Sequence, residues 1–205
     1  MPRYRILERF GSNRSITLAL AFFALASALF LAGCSKGAGA NSLHVKSAAT
    51  GEKDMAAKSA YAFAVTKTFT DVTGKMSTAA TYNVYVANYD LDSSFFAQTM
   101  NKPMTSDDQM RVVFSLVGDQ GGTEKTALKA GTYSAKADKF LKVEDAGIVT
   151  RKGGAENKGW LERGTLTGDV KVSSVSGDTI TGEVDVTSGD TSIKGSFTAR
   201  ILTRK

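Results

Sequence analysis

Cysteine, histidine, tryptophan and proline are almost missing from this 205-residue chain, which has one cysteine, Cys34, one histidine, His44, one tryptophan, Trp160, and two prolines. A single cysteine excludes an intrachain disulfide and a cysteine-rich zinc site. With one histidine, a Ser/His/Asp triad or a histidine-based metal centre would depend on His44 alone. That residue lies in a stretch rich in Ser, Ala, Gly and Lys, which offers nothing to position a catalytic group. Spaced acidic ligands are also lacking. The pairs Asp90/Asp92, Asp107/Asp108 and Glu144/Asp145 do not follow the D-x-[DN]-x-[DN]-G pattern that wraps calcium, and they read as solvated turn acids. Gly118-Asp119-Gln120-Gly121-Gly122 has no Lys-Ser/Thr ending and no following helix to cradle a phosphate, so it reads as a turn. No catalytic set, metal or cofactor is expected, and the chain reads as a non-enzyme.

Acids are scarce at the start as well. The first 14 residues carry Arg3, Arg5, Arg9 and Arg14 against Glu8 alone. An uncharged run, Ile16 to Ala32, follows and sits at the short limit for a membrane-spanning helix. A basic n-region, an apolar h-region and the small residues before Cys34 stand in the order of an export signal. With Leu31-Ala32-Gly33-Cys34 at its end, the segment resembles a bacterial lipoprotein signal peptide and its lipobox. The resemblance implies cleavage between Gly33 and Cys34 and a diacylglycerol on the Cys34 thiol, with acylation of the new amino group following. Two or more chains give stable anchoring, at about 0.8 kcal/mol per buried methylene. The implied location is the cell envelope, with the membrane lipid contacted through acylated Cys34. Ser35, in place of Asp, is compatible with sorting to the outer membrane in a two-membrane bacterium.

The leader takes four of the 26 basic residues and one of the 20 acids, which leaves a net charge of +3 on the 172 residues that follow. Interspersed charges of that size do not make a nucleic-acid-binding face. The mature length suits one domain, expected as a monomer. Three segments are expected: the signal peptide over 1–33, the lipidated cysteine and a flexible tether over 34–58, and one all-β domain over 59–205. A tether of roughly 25 residues reaches about 25 to 30 Å. Within it, Ser42-Leu43-His44-Val45 is an alternative short first strand.

From Tyr61 the period of the pattern is two. Tyr61, Phe63 and Val65 alternate with Ala62, Ala64 and Thr66; Thr81 to Tyr89 is dense in aromatic and β-branched residues; Arg111 to Val117 is apolar enough for a central strand. Ser94 to Met110 reads as a long loop packed by its own Phe and Met residues. Val170 to the end alternates through two Ser-Gly-Asp turns, giving two hairpins in series. Gly182 and Gly195 fall on the inward face, where a bulge or a neighbouring aromatic takes up the space. About seven to nine strands with few prolines point to an antiparallel β-sandwich or a small β-barrel, after an N-terminal signal helix.

Three functional readings follow. The first is a membrane-anchored binding or structural module of the envelope, contacting an envelope protein or a small ligand. The second is a barrel holding an apolar or sugar ligand, and the third an enzyme using carboxylates or a Ser/Lys pair. Tyr85, Tyr89 and Trp160 are the candidate binding surface. Tyr85 points opposite to Tyr82 on its strand, so one aromatic face lies outside the core or under the 94–110 loop. A lone tryptophan such as Trp160 either stacks on a ligand or caps a core.

Overall fold

The computed structural model describes residues 41–92 and 102–203. The signal peptide, Cys34 and the first part of the expected tether lie outside the described residues, as do Phe95, Phe96 and Met100 of the 94–110 loop. The described part is all-β, with eleven strands in chain order: β1 (Ser42–Ser47), β2 (Gly51–Ala56), β3 (Ser59–Thr70), β4 (Met76–Ala87), β5 (Met110–Gln120), β6 (Gly131–Ser134), β7 (Lys142–Lys152), β8 (Ala155–Trp160), β9 (Thr167–Ser176), β10 (Thr179–Ser188) and β11 (Thr191–Ile201).

The pairing is consistent with either a β-sandwich or a small barrel. One antiparallel sheet runs β8–β7–β5–β4–β3 and a second runs β6–β9–β10–β11–β1–β2. Two short parallel seams join them: Tyr61 and Ala62 of β3 against Arg200 and Ile201 of β11, and Ser134 of β6 against Lys142 of β7. The bonding therefore closes into a ring. Closure covers much of the edge an open sheet would present; among the described residues β2 and β8 keep an outer side with no strand beside it, and β3 runs on past the two residues that pair with β11.

The interior is filled by side chains. Val84, Phe114, Val170, Ile180 and Ala199 are wholly buried, and Phe114 meets Phe197 edge-on at 5.0 Å between ring centres. Such a pair adds about 0.5–1.5 kcal/mol beyond its burial. On β3 it is the small residues that face inward. Ala62 lies opposite Val84 and Ala64 opposite Tyr82, so the larger β4 side chains occupy the space. The pairing of β9 with β10 shifts register at Gly182, a bulge, and Phe197 lies over the vacant Cβ position. β5, expected as central, lies between β4 and β7 with both faces buried.

Residues 42–56 correct the expected tether. They form the β1–β2 hairpin, which buries Leu43, Val45 and Met55 against the core. Their Ser, Ala and Lys content hid a strand with only two inward residues, Leu43 and Val45, whose support comes from the far end of the chain. β1 pairs with β11, and Gly195 permits that contact. Its φ is +137°, and a Cβ there would come within 2.2 Å of the Ser42 carbonyl oxygen. Asn41 fastens the entry to this hairpin: its amide donates to the Thr198 carbonyl at 3.1 Å and its side-chain oxygen accepts from the Thr198 amide.

Candidate functional site

The outer face of the first sheet carries the aromatic residues singled out in the sequence. Strand register sets Tyr61, Tyr85, Val113, Gly147 and Trp160 in one row across five strands. Tyr85 and Trp160 are thus three strands apart, about 14 Å, and do not touch. Tyr85 is half-buried and stacks on Phe63 at 5.8 Å. Tyr89 is buried beneath Leu91 and Met104, so the described part of the long loop covers this end of the face. Its hydroxyl accepts a hydrogen bond from the buried Arg111 guanidinium at 2.7 Å. Burial raises the phenol pKa of both tyrosines. Trp160 alone is open, 57 % exposed, and lines a hollow of about 410 Å³ beside the bidentate Arg163–Asp145 pair.

The acidic pairs do not converge. Glu144 pairs with Lys67 and Asp145 with Arg163, while Asp107 meets Arg151 and accepts from the Gly153 amide. His44 sits between Asp54, 2.7 Å from Nδ1, and Glu52, 3.0 Å from Nε2. Because the carboxylates approach opposite ring nitrogens, no one point lies within bonding distance of all three. Among the described residues no group of three or more His, Cys, Asp or Glu is placed to hold a metal.

Two clefts lie at opposite ends of the ring. At one end, the β1–β2 turn, Asp107 and Gln109, and the β7–β8 hairpin enclose about 440 Å³, with Lys53, Arg151 and Lys152 in the walls. At the other, β3 and β4 project past the seam with β11, because only two residue pairs close that seam. The resulting gap is a cleft of about 720 Å³ between β3, the 124–127 loop, the β9–β10 turn and the end of β11. Its walls are mainly aliphatic, and Tyr82 is the sole aromatic lining it among the described residues. The Tyr82 hydroxyl donates to the Thr126 carbonyl at 2.9 Å, and burial raises its pKa, keeping it a neutral donor. At the rim Thr66 donates to the Glu124 carboxylate and accepts from the Glu124 amide at 2.9 Å, tying the loop to β3.

This volume falls within the range of small-molecule sites. The sequence reading did not single out these residues. The available signal was Ile201-Leu202, consecutive apolar residues that break the period of two where β11 ends. No protein-family model matches the chain, and comparison with curated proteins and with solved structures finds no match.

Proposed function

We propose that the protein is a non-enzymatic binding module of the cell envelope, held on its membrane by acylated Cys34 and acting as a monomer. The observation that carries this reading is the aliphatic cleft at the seam of β3 and β11, close in the fold to Asn41, where the described chain begins. The lipobox-like Leu31-Ala32-Gly33-Cys34 supports the anchor. The pairing of Glu144 with Lys67 and of Asp145 with Arg163 favours binding over carboxylate chemistry. Seven peptide steps separate Cys34 from Asn41 and span at most about 25 Å, so an anchored domain rides close to the lipid. In a two-membrane bacterium the outer membrane is the proposed site.

The anchor is tested by Cys34→Ala. Metabolic labelling with an alkyne fatty acid should vanish, and the protein should leave the membrane fraction or stay as an unprocessed precursor. Unchanged labelling and fractionation would overturn the proposal.

A further inference from the structure

We infer that the 720 Å³ cleft binds the alkyl chain of a free single-chain amphiphile drawn from the bilayer, a long-chain fatty acid in its simplest form. This rests on the anchoring reading, because the membrane is what supplies such a ligand.

Wall chemistry selects the ligand class. Ala64, Val65, Ala127, Val175, Ile201 and Leu202 present aliphatic surface, and Val65 is 38 % exposed. A sugar would need an open aromatic plane and a set of free polar groups. Here Tyr82 already spends its hydroxyl on Thr126, while Thr66 and Glu124 are committed to each other at the rim. Lys125 lines the same cleft and supplies a cation for a carboxylate head group.

Position selects the source. Asn41 is pinned to Thr198, four residues before Leu202, so the entry of the chain and the cleft lie about 13 Å apart along β11. With Cys34 at most about 25 Å from Asn41, an acylated Cys34 would keep the cleft within about 40 Å of the head groups.

The test uses the full chain in phosphatidylcholine nanodiscs, titrated with hexadecanoic acid bearing a chain diazirine, then irradiated and mapped by peptide mass spectrometry. Label should concentrate on peptides containing Ala64–Thr66 and Ala127. Ala127→Trp fills the cleft from an exposed position, and Val65→Asp places a charge in its wall; each should reduce that label at least about ten-fold. Ala48→Trp, in the cleft at the opposite end, should label like the parent. Label spread over the surface, or unchanged by both cleft substitutions, would overturn the inference. Label that enters the cleft only in Cys34→Ala would also overturn it, since the protein's own acyl group would then be the occupant. The mass of the Cys34 peptide is read in the same samples: cleft labelling with an unmodified Cys34 would defeat the anchor and leave the alkyl site standing.

Discussion

Trp160 lies over Gly147 so closely that a Cβ at position 147 would come within 2.7 Å of the indole Cε3. The contact fastens β8, whose residues are all exposed, to the outer face of β7. Gly147→Ala should push the indole into solvent and cost about 1–3 kcal/mol, as overpacking does. Since Trp160 is the only tryptophan, its emission should move to longer wavelength in the native state. Trp160→Ala in the same background should recover much of the lost stability in urea titrations. An unshifted spectrum would mean that the ring does not cover residue 147.

His44 makes the β1–β2 hairpin sensitive to pH. Hydrogen bonds to Asp54 and then Glu52 raise its pKa above the ordinary 6.5, with their charges adding to the effect. Across β1 its neighbour is Lys194, itself paired with Asp185 at 3.1 Å. The protonated ring is favoured in the folded state, so its contribution is fully present below pH 6.5 and fades as pH rises through the higher folded value. Amide exchange over residues 43–55 should be slower at pH 6 than at pH 8 after correction for intrinsic rates. In His44→Gln that difference should shrink, and an undiminished difference would assign it to other groups.

Tyr89→Phe removes an acceptor from a guanidinium that is 1 % exposed. Leaving a buried charged donor short of one partner should cost about 1–3 kcal/mol, seen as a lower urea midpoint with an unchanged slope. Tyr85→Phe is the control: its ring stacks on Phe63, while the Arg111 guanidinium donates to Tyr89. The control should shift the midpoint by much less.

Local pattern made much of the fold legible. Tyr61 to Thr66 and the last two hairpins alternate with a period of two, because each of those strands has one face toward packed side chains, while Arg111 to Val117 is apolar throughout because both faces of β5 are buried. β8 escaped notice since Ala-Glu-Asn-Lys-Gly-Trp has no β-branched residue and buries none. β1 was legible only as an alternative to the tether, at Ser42 to Val45, because the strand it pairs with, residues 192–196, lies outside any local window. Ring closure was hidden for the same reason, as it rests on two residue pairs at one seam and one at the other. Of the candidate residues, the opposite facing of Tyr82 and Tyr85 was readable from strand geometry. The cleft was not, because its walls come from β3, a loop, a turn and the chain's end.

The pairing of β1 with β11 sets an order on assembly. A chain delivered amino end first, from a ribosome or through a membrane pore, presents Leu43 and Val45 long before residues 192–196 arrive to receive them. Until then the hairpin has no sheet to join and the Tyr61–Arg200 seam cannot form. Contacts of such sequence separation are slow to make. The cleft beside that seam is therefore completed last, and the alkyl site proposed there would form only once Ile201 and Leu202 have been delivered.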